Sequence, residues 1–256
     1  MPPVLPRDRI STALKRDGSP AIVAFLTAGY PDPKTFLAVL KQIASAADAV
    51  ELGVPFSDPM ADGVTIQRSS EQAIANGVNL HWIFDQLEAR DFELEAPLLM
   101  MSYLNPLLAF GYEALAARAK ATGVDGFMVP DLPYEESAPL HAALDPAGLA
   151  LVQFVTPATT DARIKLITAN SQGFVYAVTR TGITGGSSEL PPELTSYLSR
   201  VKAASPLPVC AGFGVREARQ VRQIGAHADG VIVGSALVEA LERGDDPAAF
   251  INGLRT

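Results

Sequence analysis

Short apolar runs alternate along the chain with longer stretches of helical periodicity. The runs are 21–27 (AIVAFLT), 48–52 (DAVEL), 97–103 (PLLMMSY), 124–129 (VDGFMV), 149–155 (LALVQFV), 173–178 (GFVYAV), 207–212 (LPVCAG) and 229–233 (DGVIV), eight in all. Each has strand length and gives way to polar or Gly/Pro-rich residues. Runs apolar at consecutive positions suit parallel strands buried on both faces. Between them, 33–46 carries Phe36, Leu37, Leu40 and Ile43 at helical spacing, and 111–122, 134–144, 160–169, 190–204, 215–224 and 235–243 read the same way. The longest interval, 53–96, has room for a helix near 64–76 ahead of one at 80–90, and a short helix over 7–16 precedes the first strand. Eight βα units in 256 residues predict a TIM (β/α)8 barrel, with an extra N-terminal helix and an extra helix in the second connection. An open doubly wound sheet is the alternative. No linker or low-complexity segment interrupts the pattern, so residues 1–256 are expected to form one barrel domain.

Composition narrows the function. Net charge is −8, and the 20 Lys and Arg residues are scattered, which excludes the basic face that nucleic acid needs. A single small phosphate held by backbone N–H groups remains compatible with that charge. Apolar runs fall short of a membrane span, and the opening MPPVLPRDRI has no hydrophobic signal core, so a cytoplasmic protein is expected. One cysteine, Cys210, leaves no intrachain disulfide and no thiolate zinc cluster.

In a barrel the chemistry sits at the C-terminal strand ends. The loop after the second run reads ELGVPFSDPMADG, with Glu51 at the strand end and Asp58 and Asp62 beyond it. A carboxyl pointing inward there has a raised pKa, whereas one at the rim stays solvated. The last two runs end in AGFGV (211–215) and VGSAL (233–237), each leading into a helix. Gly214 and Gly234 would let N–H groups approach an anion at a helix N-terminus. TRTGITGGSS (179–188) has the glycines and hydroxyls of a mobile loop that could touch phosphate. Lys15, Lys34, Lys41, Lys120, Lys165 and Lys202 all fall in or beside predicted helices, so a Schiff-base aldolase lacks its nucleophile. His81, His141 and His227 do not cluster, and no metal site is expected. Carboxyl acid–base chemistry on a small phosphorylated substrate remains.

These residues carry a resemblance. Over nearly its whole length the chain resembles the tryptophan synthase α subunit family. The most specific piece is ELGVPFSDPMADGVTIQ (51–67); FLTAGYPD (25–32), SYLNPLLAFG (102–111), VPDLPYEES (129–137), TGITG (181–185), GFGV (212–215) and GSALV (234–238) follow in matching order and spacing. The resemblance implies retro-aldol cleavage of indole-3-glycerol phosphate to indole and glyceraldehyde 3-phosphate, in tryptophan biosynthesis. It implies Glu51 as the catalytic acid–base residue, and Asp62 as a catalytic group that binds the indole N–H. It further implies an aromatic pocket at Phe25 and Tyr176, phosphate binding at Gly185, Gly214, Gly234 and Ser235, and a bond from Thr184 to Asp62.

By the same resemblance the chain needs no cofactor or metal, and its partner is a β subunit carrying pyridoxal phosphate, in an α2β2 heterotetramer. The chain departs from the family's commoner residues in GSSELPPEL after TGITG, and at Ser102 and Leu104. The apolar NPLLAFG (105–111), read as a loop exposing Leu107, Leu108 and Phe110, suits a partner's surface. Other readings are a lyase acting alone, a different phosphosugar barrel enzyme such as an isomerase, and a non-catalytic activating subunit.

Overall fold

The computed structural model describes residues 4–178, 191–212 and 214–256. Eight parallel strands run β1 (Ala21–Thr27), β2 (Ala49–Gly53), β3 (Leu98–Met101), β4 (Gly126–Met128), β5 (Ala150–Val155), β6 (Val175–Val178), β7 (Val209–Gly212) and β8 (Gly230–Val233). They form a closed barrel in sequence order, with β1 paired to β8 through Ala21↔Gly230 to Ala24↔Val233. That closure excludes the open sheet.

The helices among the described residues are α1 (Pro6–Ala13), α2 (Phe36–Ala46), α3 (Val64–Ala75), α4 (Leu80–Ala89), α5 (Leu104–Phe110), α6 (Tyr112–Ala121), α7 (Ala138–Leu144), α8 (Asp161–Asn170), α9 (Pro192–Ala204), α10 (Ala218–Gly225), α11 (Ser235–Glu242) and α12 (Pro247–Gly253). The extra N-terminal helix and the second helix after β2 stand where the sequence predicts them.

Strand alternation divides the apolar residues into two cores. Ile22, Ala24, Leu26, Val50, Leu52, Leu98 and Met100 face the helices. Ala21, Val23, Ala49, Leu99, Met128, Val152 and Ile232 fill the barrel interior with Ile10, Leu14 and Phe174. Because side chains two apart share a face, the interior column Ala49 continues to Glu51, Val23 to Phe25, and Phe174 to Tyr176. Ile10 and Leu14, both fully buried, close the N-terminal end of this interior. The opposite end is left to function.

Four details differ from the sequence reading. Residues 104–110, expected as a loop, form α5, which Gly111 ends at φ +86°. Pro106 sits in the first helical turn, where its missing N–H costs nothing. As a result Leu107 is fully buried, and Phe110 packs on His81 and Phe84 at 4.5 and 5.4 Å between ring centroids. Leu108 alone of the three is exposed. Secondly, α10 begins at Ala218 rather than 215, because Glu217 and Gln220 form a reciprocal capping box that leaves Val215 and Arg216 in the loop. Thirdly, two predicted helices divide: 33–46 into a 3-10 turn at Pro33–Thr35 and α2, and 134–144 into a 3-10 turn at Tyr134–Glu136 and α7. Fourthly, α12 goes unannounced by any strong periodicity, although Asp246 caps it and Pro247 opens it.

Candidate active site

Glu51 lies in the uppermost interior layer of the barrel, level with Phe25 of β1 and Leu99 of β3. It is 3% exposed, and among the described residues its Oε2 has no hydrogen-bond partner. A buried carboxylate without donors is costly, so the neutral acid is favoured. Burial first, and the charge of Asp62 second, push the Glu51 pKa up to about 8.

Asp62 stands in the turn between β2 and α3. The turn is held by Asp62 N–H donating to Pro59 O (3.1 Å), and by Gln67 Nε2 donating to Asp62 O (2.9 Å). Burial raises its pKa to about 6, against the opposing effect of a hydrogen bond from Tyr103. At pH 7 it is therefore still roughly nine-tenths ionised. The two carboxyls are thus split, one mostly protonated and one mostly charged near neutrality, as a division of labour between acid and anion requires.

Tyr103 is a residue beside the cavity that sequence reasoning missed. Its hydroxyl donates to Asp62 Oδ2 at 3.1 Å and accepts from Ala61 N–H at 2.8 Å, so it fixes both the orientation and the charge of Asp62. The ring is buried and stacks on Phe56 at 5.0 Å. Tyr103→Phe removes a bond made to the charged form. The acid limb of the pH–rate profile should move to higher pH, with a roughly 3- to 10-fold loss of kcat/KM at pH 6. An acid limb unchanged in that variant would refute the link.

Two glycines make room for the aromatic walls. A Cβ on Gly53 would lie 2.5 Å from Cζ of Phe25, and one on Gly212 2.8 Å from the Tyr176 hydroxyl. The rings can lie across the strand ends only because those positions carry no side chain. Tyr176 packs on Phe154 at 4.8 Å, and burial together with the nearby carboxyls raises its pKa well above the usual value, so it stays a neutral phenol.

On the far side, Gly234 caps α11 without a side-chain hydrogen bond, and Gly214 turns the chain at φ +63°. The first N–H groups of α11 therefore face the mouth with the positive end of the helix dipole, an arrangement suited to an anion.

A cavity of about 270 Å³ joins these parts. Phe25, Glu51, Asp62, Tyr176, Gly214, Gly234 and Ser235 all line it. Thr184 and Gly185, the other two site expectations, lie outside the described residues. Met101, Val178 and Ile232 also line it; each is a strand-end apolar residue, a weak signal in sequence. Asp58 is not among the lining residues. No three His, Cys, Asp or Glu side chains among the described residues are grouped to hold a metal ion. Cys210 is buried in the barrel interior, where burial raises its pKa well above that of a free thiol.

Fold and site together define a TIM-barrel enzyme. The family model described as tryptophan synthase alpha chain matches residues 12–252, and the chain belongs to that family. It is 44% identical over 237 residues to the tryptophan synthase alpha chain of Desulfovibrio desulfuricans, covering 91% of this chain and 93% of that one. Identity to the alpha chain of Roseiflexus castenholzii is 46% over 232 residues, covering 90% and 89%. Among solved structures, the alpha subunit from Legionella pneumophila superposes with a TM-score of 0.87 at 32% identity, covering 99% of this chain and 98% of that one. The tryptophan synthase of Mycobacterium tuberculosis gives 0.87 at 34% identity, covering 97% and 96%.

Proposed function

We propose that this chain, as the alpha subunit of tryptophan synthase, cleaves indole-3-glycerol phosphate to indole and glyceraldehyde 3-phosphate, with Glu51 and Asp62 as its catalytic residues. The observation that carries the residue assignment is the buried Glu51 carboxyl, protonated near neutrality beside an ionised Asp62.

The steps balance without an added reactant. Glu51 gives its proton to indole C3 as Asp62 accepts the indole N–H and stabilises the positive charge growing on the ring. The resulting Glu51 carboxylate then takes the proton of the hydroxyl on the carbon attached to C3. That oxygen forms the aldehyde, the C–C bond breaks, and its electron pair returns to the indole ring. Glu51 ends protonated, as it began. Phe25 and Tyr176 flank the ring, while Gly214, Gly234 and Ser235, with Gly185, bind the phosphate at the start of α11. Thr184 serves as a further partner of Asp62.

The family implies a β-subunit partner. We place the chain in an α2β2 heterotetramer with pyridoxal phosphate on the β subunit and no cofactor on this chain. Residues 1–256 act as one barrel domain, in the cytoplasm. No helix among the described residues is long and apolar enough to cross a membrane. The test is product analysis. The chain supplied with indole-3-glycerol phosphate should release indole and glyceraldehyde 3-phosphate in equal amounts. An isomerised phosphosugar product without indole would overturn the reading, as would a chain inert both alone and with a β subunit.

A further inference from the structure

Two acidic residues three apart on α11, Glu239 and Glu242, take part in no step above, yet both are tied to the loops of the mouth. Glu239 receives both prongs of the Arg216 guanidinium, Nη1 to Oε2 at 2.6 Å and Nη2 to Oε1 at 2.9 Å. Its Oε1 also accepts from Thr65 Oγ1 at 3.2 Å. Arg216 follows Gly214 by two residues in the loop after β7. Thr65 follows Asp62 by three, in the first turn of α3. Glu239 itself belongs to the helix that starts at Ser235. One carboxylate thus joins the three segments that supply Gly214, Asp62 and the α11 N-terminus. Glu242 repeats the connection between α3 and α11, accepting Arg68 Nη2 at 2.6 Å and Tyr30 OH at 2.7 Å.

The Gly214 turn needs such an anchor. A glycine at positive φ has no side chain to lock it. Downstream the chain is fixed by Gln220 Oε1, which accepts the N–H of Arg216 at 2.7 Å. Across the mouth, the Arg216 fork is what fastens it to α11. With side chains 53% and 25% exposed, the pair adds little to global stability. Its two-pronged geometry fixes distance and angle instead.

We propose that Glu239, acting through Arg216, is a positioning residue that holds the Gly214 turn against the α11 N-terminus and thereby sets affinity for the substrate's phosphate. The inference rests on the phosphate assignment above. Neither side chain touches a reacting atom.

Calorimetric titration with glycerol 3-phosphate and, separately, with indole tests it in the full chain and in Glu239→Gln, Arg216→Gln and the double variant. Each single variant should weaken glycerol 3-phosphate about five-fold, with indole affinity held within two-fold. The double variant should be no weaker than either single, because the two residues act as a unit. The KM for indole-3-glycerol phosphate should rise in parallel, with the smaller change in kcat. Equal phosphate affinity in all four proteins overturns the proposal, and so do additive losses in the double variant. A loss in Arg216→Gln alone would mean that Arg216 meets the anion itself, and a matching loss of indole binding would mean general loosening; either overturns it. Failure of the unmutated chain to bind glycerol 3-phosphate would bring down the phosphate assignment and the inference with it. That outcome is distinct from the others.

Discussion

Glu51→Gln should lower cleavage of indole-3-glycerol phosphate at least ~10²-fold while leaving substrate binding near its normal strength. The substitution keeps the shape of the side chain and removes the titrating proton. The pH dependence gives the stricter check. The free chain holds a carboxyl that must be protonated, with a pKa of about 8, and one that must be charged, with a pKa of about 6. Its kcat/KM should therefore follow a bell with limbs near those values. Whatever rate survives in Glu51→Gln should lack the alkaline limb.

Stability should move the opposite way. The folded pKa of Glu51 lies above its ordinary value of 4.5, so the stability tied to its neutral form is fully present below that value and is lost as pH rises through about 8. On this account the charged form costs the fold on the order of 3–5 kcal/mol at pH 9. Glu51→Gln, uncharged throughout, should then melt above the unmutated chain at pH 9 and close to it at pH 5. Near-normal turnover in the variant, or an unchanged pH profile, would sink the assignment of Glu51.

The barrel was legible because its strands are unbroken apolar runs of the right number, and helices that bury one face keep a visible period. Glu51 stood out since a carboxyl ending an apolar run has no packing reason to be there. What escaped is contact between distant segments. Tyr103 sits in MMSYL, where a tyrosine reads as one more core ring; only the closed barrel brings its hydroxyl to Asp62, 41 residues away in sequence. The Arg216–Glu239 pair looks in sequence like two solvated charges. Residues 105–111 differ for another reason: a proline such as Pro106 suits both a loop and the first turn of a helix, and the residues after it decide. They do so through Leu107 and Phe110, which bury themselves against the chain's own helices and so remove two of the three apolar residues expected to await a partner.

Leu108 remains available to a partner, and Met60 and Val64 join it. Met60 is 83% exposed, Val64 76% and Leu108 52%. Met60 and Val64 flank Asp62 by two residues on either side, and Leu108 lies on the helix that follows Tyr103, the residue bonded to Asp62. Large apolar side chains left in water favour being covered, and a surface covering these three would clamp the Asp62 turn between its own side chains and Tyr103. If the isolated chain holds the productive arrangement only ~1% of the time, a β subunit that binds that arrangement ~10⁴-fold more tightly, ~5.5 kcal/mol of differential affinity, can raise turnover ~100-fold. The expected result is slow indole release by the chain alone and a rise of that order on titration with β subunit, saturating at one β subunit per chain. Leu108→Asp, on an exposed site distant from the reacting atoms, should keep the slow rate and the melting temperature while weakening β-subunit binding and shifting the activation curve to higher concentration. Demonstrated one-to-one binding with no change in lyase turnover would leave the chain a lyase that works by itself and refute the coupling.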